Sequence, residues 1–558
     1  MSGIIEQLLE RRGLSGEARE AFLDPSLRRL AAAAALPGIA QAVDVMLPFV
    51  RARRKIVVFG DYDCDGVCAS VILVKALRRI GAVAEAFFPD RFTEGYGMTP
   101  ASVARLLQEH PDAALVVTVD CGITSVEEVR TLKARGIAVV VTDHHLPSAT
   151  LPVCDALVDP KVEAQREGAV RIEAGDLCGA GLAFFLSGAL ADRAVAEGLY
   201  DGGKFGAPLL VLAGLATVVD IAPLLGQNRI LAANALRTFG AAPVGLRELL
   251  LRAQRRPVDL SARDFGFLIG PRLNAAGRMA SARTAYELLM ADDREMARNF
   301  AQAVDACNAR RKSVENQMAD EASAGLPDPL PAAVAICLKE DDSAEFRRTG
   351  VCGIVASRLL ERCQVPVAVA VDGHGSARAP DGYDIHAALT ACAAHLERFG
   401  GHKGAAGFTV KEGCFEAFRA AFEAACAAQA GEGRPGEAFP APELWLEPRD
   451  LTRELYGELK ALAPFGEGNP EPLFGLRGVA LADVRIMGDN GKHVAFAFGD
   501  SRLPRATWWG HGHLAEKLRA KAAERWDVAF TLDESDWGGG EPRLELRICG
   551  MALAHPGG

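Results

Sequence analysis

Residues 57–66 read VVFGDYDCDG and place three aspartates, Asp61, Asp63 and Asp65, at alternate positions directly behind an apolar run. Such a run reads as a buried strand, and carboxylates crowded at its end repel one another unless a cation offsets them. Further along, VTVDCG carries Asp120, VTDHH supplies Asp143, His144 and His145, and ATVVD supplies Asp220, read as another strand end. Hard carboxylate oxygens with imidazole, and no thiolate among them, favour Mn²⁺ or Mg²⁺ over zinc. Each group alone has an ordinary explanation, since an Asp after a strand commonly caps the next helix. Together they point to two divalent cations, because several buried anions without a counter-charge cost several kcal/mol. Two metals about 3.5–4 Å apart are the usual machinery for in-line attack at phosphorus.

The surrounding elements must bring these groups to one place. From Lys55 the chain alternates strand, loop and helix: KIVVFG, then VCASVILVKALRRIG, then AALVVTVDCG, SVEEVRTLKARG and IAVVVTDHH. Near-continuous Val/Ile runs separated by amphipathic helices predict a parallel sheet covered on both faces, with its ligand crevice outside the carboxyl ends of the strands. The fold class is therefore α/β. Residues 49–225 form the expected catalytic domain, preceded by a helical lead-in over 1–48 and followed by a helical connector over 226–328. A second, smaller α/β domain is expected over 329–430, with AAVAIC and VPVAVAV as strands around the helix GIVASRLLERC. The Gly/Pro-rich stretch at 431–442 reads as a linker. Residues 443–558, with the alternating VAFAF and LELRI and all five tryptophans, read as a separate β-rich module.

Bulk properties narrow the class. The chain has 558 residues, 49% hydrophobic and 24% charged, and no apolar run of the ~18 to 20 residues that would span a bilayer. The N-terminus lacks a basic segment followed by an apolar core, so a cytoplasmic location without a membrane role is expected. Thirteen cysteines without a Cys-x-x-Cys pair argue against a disulfide framework and against a zinc knuckle. The net charge of −10 hides a local excess, with thirteen Lys/Arg against eight Asp/Glu between Arg247 and Lys312.

The loop DCDGV also resembles that of haloacid-dehalogenase phosphatases, yet those need a later lysine and a carboxylate pair, where this chain has VTDHH. Neither GxxxxGK(S/T) nor a GxGxxG after the first strand occurs. VVFGDYDCDG, PDRFTEGYGM, VTVDCGI, VTDHHLP, LCGAG and ATVVD, in this order, resemble the DHH phosphoesterase superfamily, and within it the RecJ-type single-strand-specific 5′ to 3′ exonucleases. GPRLNAAGRM, GVCGIVASRL, GGHKGAAG and PFGEGNPEP extend the resemblance over nearly the whole chain.

The resemblance implies a DHH domain, a DHH-associated C-terminal domain and an oligonucleotide-binding (OB) barrel. It implies that Asp63, Asp65, Asp120, His144 and Asp220 hold two Mn²⁺ or Mg²⁺ ions, with Asp61, Asp143 and His145 beside them in catalytic roles. Arg91 and Tyr96 then lie next to the active site, and Arg278, Ser376, Arg378 and His402 around phosphate. The implied reaction is release of 5′-mononucleotides from single-stranded DNA in repair and recombination, by a monomer working with a single-strand-binding protein and a helicase. Two stretches depart from the family pattern: Arg347-Arg348-Thr349-Gly350 replaces Trp-His-x-Gly, and Gly375-Ser376-Ala377-Arg378-Ala379 replaces GSGRS. The rivals are a small-molecule or short-oligonucleotide phosphoesterase of the same superfamily and a scaffold that has lost its metals.

Overall fold

The computed structural model describes residues 2–164, 176–203, 206–341, 347–429, 439–488, 491–535 and 542–554. The chain forms two compact units, one of Ala31–Ala222 and Ala235–Gly436, the other of Met1–Leu30, Pro223–Asn234 and Glu437–Gly558.

In the larger unit, β1 (Ile56–Gly60), β2 (Ala84–Phe87), β3 (Leu115–Val119), β4 (Ala138–Thr142) and β5 (Ala156–Val158) form a wholly parallel sheet in the order β2-β1-β3-β4-β5. β1 and β3 are buried at every position, as the unbroken Val/Ile runs require when helices cover both faces. Asp61, Asp120 and Asp143 each follow a strand of this sheet directly, so all three emerge at its carboxyl edge. Asp220 does not end a strand. It follows the helix Gly206–Val219, where ATVV continues an apolar run long enough to be buried as a helix, and length outweighed β-branching. The helix Gly179–Ala196 matches a membrane span in length and composition, with a mean hydropathy of 1.2, but 67% of it is buried inside the protein. It is a core helix packed on helix Cys64–Arg79.

Helices then run to the 31-residue Arg294–Ala324. A second sheet follows, with β6 (Val334–Leu338), β7 (Val367–Val371), β8 (His374–Arg378), β9 (Leu396–Gly401) and β10 (Ala405–Val410) in the order β6-β7-β8-β10-β9. β6 and β7 are parallel and joined through helix Cys352–Cys363, and the other pairs are antiparallel. One face packs Ala368, Ala370, Ala377, Ala406 and Phe408 with Phe418 and Phe422. The other buries Val367, Val369 and Val371 with Val355 and Leu359 of the connecting helix. Alternation along the strands puts His374, Ser376 and Arg378 of β8 on that second face.

The smaller unit holds a seven-stranded sheet built from β11 (Leu444–Trp445), β12 (Phe474–Val479), β13 (Leu481–Met487), β14 (His493–Phe498), β15 (Arg505–Trp508), β16 (Trp526–Ser535) and β17 (Arg543–Leu553). The expected linker at 431–442 falls, up to residue 438, outside the described residues. The expected single lead-in over 1–48 is helical but divides at Leu30. Helices Gly3–Arg11 and Gly16–Leu23 bury Ile5, Leu8, Leu9 and Phe22 in one core with Phe474, Phe496 and Phe530. Helices this short do not hold alone and need such a surface. Fully buried Arg229 ties the unit together, its guanidinium 3.8 Å from the Phe22 ring centroid and donating to the carbonyls of Phe22 and Ala463.

All five tryptophans lie within Glu437–Gly558, so their fluorescence reports on this unit. Leu8→Ala, which empties a fully buried position of its core, is expected to cost about 2–5 kcal/mol and lower the denaturant midpoint of the tryptophan signal. An unchanged midpoint would show that the N-terminal helices are not part of that core.

Candidate metal centre and adjoining cleft

The aspartate loop is shaped by its own backbone. Asp63 caps helix Cys64–Arg79, one carboxylate oxygen accepting from the amides of Asp65 at 2.9 Å and Gly66 at 3.1 Å. The ordinary capping explanation therefore holds for one oxygen of Asp63 and leaves the other available. Asp65 is buried and held from across the domain. Gly179 N–H donates to its Oδ2 at 2.6 Å and Ala180 N–H to its Oδ1 at 2.7 Å, both from the first turn of helix Gly179–Ala196. Unfilled amides at a helix start favour an anion there, which explains LCGAG. GPRLNAAGRM braces the loop from the other side. Asn274 Oδ1 accepts from Cys64 N–H at 2.6 Å, and a Cβ at Gly277 would come within 2.3 Å of the Tyr62 carbonyl oxygen.

His144 sits among three carboxylates, its Nε2 2.9 Å from Asp120 Oδ1, 3.7 Å from Asp220 Oδ2 and 3.8 Å from Asp65 Oδ2. Three overlapping sets bring their ligand atoms within 4.8 Å of one another: Asp61, Asp63 and Asp120; Asp120, His144 and His145; Asp65, His144 and Asp220. Asp120 adopts a left-handed backbone, φ 63°, as the strand turns at the edge. Asp143 is directed elsewhere. Its Oδ1 accepts from the amides of His144 and His145 and lies 2.7 Å from His145 Nδ1, while Oδ2 accepts from Ile123 N–H. His145 Nε2 lies 3.1 Å from the Tyr96 hydroxyl, so its ring is held at both nitrogens.

Protonation follows from this crowding. Burial first, and neighbouring carboxylates second, drive Asp61 and Asp120 well above the usual carboxylate range. The same causes push Asp65 up to about 6 and Asp220 up to about 9. Burial, then the charge of His145, pushes His144 down to about 3, leaving the neutral imidazole that a metal requires. Burial opposes the charged forms of Asp143 and His145, but their mutual hydrogen bond holds Asp143 low and His145 high. Asp61 Oδ1 is buried without a protein partner. An orphaned carboxylate oxygen, anions that cannot all ionise together and a neutral imidazole fit a pair of hard divalent cations.

Beside this centre opens a cleft of about 600 Å³ between the aspartate-loop side and the second sheet. Of the residues expected near phosphate, Arg91, Tyr96 and Ser376 line it, whereas Arg278, Arg378 and His402 do not. The Arg91 guanidinium lies 5.0 Å from the Tyr62 ring centroid, and the Tyr62 and Tyr96 rings meet edge to face at 6.1 Å. Arg278 is partly buried and donates to the Gly350 carbonyl at 3.3 Å. Burial, then Arg91, pushes it down to about 10. Arg378 packs against Gly353 at the start of helix Cys352–Cys363, and His402 accepts from Gly404 N–H at the turn between β9 and β10. Arg348 of the departing stretch turns inward to pair with Glu321, and Arg347 lies 5.8 Å from the Phe92 ring centroid.

The chain matches the DHH family, N-terminal domain, over residues 55–202, the DHHA1 domain over 334–428 and the RecJ OB domain over 443–549. It is 36% identical over 553 residues to the single-stranded-DNA-specific exonuclease RecJ of Thermus thermophilus, covering 97% of this chain and 74% of that protein. The chain belongs to the RecJ family. The RecJ of Escherichia coli K12 is 35% identical over 471 residues, covering 79% of this chain and 78% of its own length. A crystal structure of Thermus thermophilus RecJ in complex with Mn²⁺ superposes with a TM-score of 0.82 at 32% identity, covering 98% of this chain and 76% of that one. The Mg²⁺ complex of the same protein gives 0.75, at 30% identity over 98% and 74%. Membership of this metal-dependent family leaves no place for the haloacid-dehalogenase reading of DCDGV.

Two features of this RecJ-family site escaped sequence reading. Asp159, directly after β5, is another buried carboxylate at the same sheet edge, pushed up to about 7 by burial, and only the short run ALV could have signalled it. His374, Arg398 and Thr409 line the cleft, their signal being strand alternation around the glycine-rich motifs.

A Cβ at Gly179 would come within 2.6 Å of Asp120 Cβ. Gly179→Ala is therefore expected to displace Asp120 and weaken Mn²⁺ binding by about 10- to 100-fold, the scale of lost support around a metal ligand, in a protein with unchanged circular dichroism. Wild-type affinity in titration calorimetry would show that the close approach does not position Asp120.

Proposed function

We propose that this chain is a metal-dependent exonuclease that degrades single-stranded DNA from its 5′ end and releases 5′-mononucleotides. The observation that carries it is the convergence of Asp61, Asp63, Asp65, Asp120, His144 and Asp220 at one sheet edge beside a cleft lined by Arg91 and Ser376.

In this reading Asp63, Asp65, Asp120, His144 and Asp220 would hold the ions, with Asp120 common to two of the ligand sets and Asp61 beside them. Two Mn²⁺ or Mg²⁺ ions held there supply water activation and charge neutralisation on the phosphate. His145, its proton affinity raised by Asp143 and its ring oriented by Tyr96, gives a proton or hydrogen bond on the leaving-oxygen side. Water adds its hydroxyl to phosphorus, the P–O3′ bond breaks, and the 3′ oxygen takes a proton. Arg91 and Ser376, which line the cleft, engage phosphate, with Arg278, Arg378 and His402, which do not line it, as further members of the proposed phosphate set, and a strand whose terminal phosphate is held there enters 5′ end first.

We place the domains at 49–225, 226–328, 329–430 and 443–558 after the lead-in of 1–48. A groove of about 780 Å³ in the smaller unit, lined by Arg453, Arg502, Arg505, Arg543 and Trp509, supports strand binding there. A single-strand-binding protein and a helicase are the partners that fit a role in repair and recombination, with the chain acting as a cytoplasmic monomer.

Single strands labelled at either end and digested with Mn²⁺ or Mg²⁺ test the reading. Early release of the 5′ label as a mononucleotide, slow attack on blunt duplex and steep loss of binding with salt are expected. Preferential loss of the 3′ label would overturn the polarity. Trp509 is 53% exposed, unlike Trp526 at 5%. Trp509→Ala is expected to weaken binding of a long oligonucleotide by about 1–3 kcal/mol, the scale of one base stacked on an aromatic ring, and to spare cleavage of very short ones. Equal effects on both lengths would rule out stacking at this ring.

A further inference from the structure

We propose that the cleft holds a second anion subsite, built by Arg398, Thr409 and His374, which accepts the outer phosphates of a strand whose 5′ end is a di- or triphosphate. This rests on the exonuclease reading above and extends its substrate class.

The register of the second sheet sets the arrangement. His374 of β8 stands opposite Thr409 of β10, which stands opposite Arg398 of β9. The next row on the same face is Ser376, Gly407 and Gly400. Rows two residues apart are about 6.6 Å apart. Both rows line the cleft. Thr409 Oγ1 accepts from Arg398 Nε at 3.3 Å and lies 3.2 Å from His374 Nδ1, which steadies both side chains. The terminal nitrogens of Arg398 meet no carboxylate among the described residues. The Ser376 row is open above its glycines, since a Cβ at Gly400 would meet nothing within 4 Å and one at Gly407 only the Gly375 carbonyl oxygen at 3.9 Å.

Connectivity then limits what can sit there. With the terminal phosphate at the Ser376 row and the next phosphate at the metal centre, no further linkage of the strand remains to fill the Arg398 row. Only groups attached to the outer side of the terminal phosphate reach it, and the β- and γ-phosphates are such groups. A guanidinium fork with an adjacent hydroxyl suits their oxygens. A volume of about 600 Å³ lies within the range of pockets that take ligands larger than one phosphate. The cleaved bond is unchanged: water adds at the second phosphorus, P–O3′ breaks, and the product is a nucleoside 5′-triphosphate.

The test uses DNA strands of one sequence bearing a 5′-hydroxyl, monophosphate or triphosphate, digested by the full chain with Mn²⁺. The first product from the triphosphate strand should be a deoxynucleoside 5′-triphosphate, with monophosphates following. Arg398→Ala should raise KM for the triphosphate strand about tenfold relative to the monophosphate strand, the effect of losing a charge-assisted hydrogen bond. It should also weaken nucleoside triphosphate binding about tenfold in calorimetry without divalent cations, a readout independent of turnover. Digestion of the monophosphate strand reports separately on the exonuclease reading. Failure to release a nucleoside triphosphate, or an equal shift of both KM values, which would mean that Arg398 contacts the first nucleotide instead, overturns the subsite.

Discussion

Carboxylates buried together repel, and this centre contains Asp61, Asp65 and Asp120 at 1–2% exposure with Asp63 and Asp220 beside them. Burial and this mutual repulsion disfavour the charged forms and shift Asp61, Asp65, Asp120 and Asp220 upward. The surrounding architecture supplies donors that reduce this cost. Helix amides bind Asp65, the aspartate loop's own amides bind Asp63, and Asp143 is surrounded by three amides and an imidazole. The parallel sheet matters here because it delivers three strand ends to one edge, where helix starts also point.

The repulsion also divides the two histidines. His144, partly buried among carboxylates, is pushed toward the neutral form that suits a cation, whereas His145, hydrogen-bonded to Asp143, binds its proton more tightly than a free imidazole. Adjacent residues of one type thus take opposite chemistry from their partners alone. The Tyr96 hydroxyl on His145 extends this order to the cleft wall, where Arg91 covers Tyr62. Arg278, partly buried at the same wall with one backbone acceptor at 3.3 Å, carries positive charge close to the acidic loop.

The second sheet does a different task with simple means. Its strands are apolar on the face packed against Phe418 and Phe422, while the opposite face of β8, β9 and β10 carries short or cationic side chains at alternate positions. The connecting helix covers β7 and its neighbours, so the polar half of the face is left to the cleft. Of the two arginines that depart from the family pattern, Arg348 is used for internal pairing with Glu321, and only Arg347 faces an aromatic ring of the neighbouring loop.

Much of this was legible in the chain because the signals are local. Unbroken Val/Ile runs at 56–60, 115–119 and 138–142, each followed by an acidic residue, specify buried parallel strands with carboxylates at one edge, and aspartates with histidines specify a hard cation. Alternation at 543–553 likewise marks a half-buried strand, whereas the strand at 493–498 is buried on both faces over Val494, Ala495 and Phe496. Tertiary structure alone decided what depends on distant partners. Asp220 comes from a helix end because its apolar run is long enough to be buried all round, and Asp159 joins the edge because a three-residue strand completes the sheet. The N-terminal helices share a core with residues more than 400 positions away, and no periodicity within them records that. The roles of Asp143, His145 and Arg348 were likewise invisible, since a charged residue's function follows from its neighbours in space, and those are set only when the chain has folded.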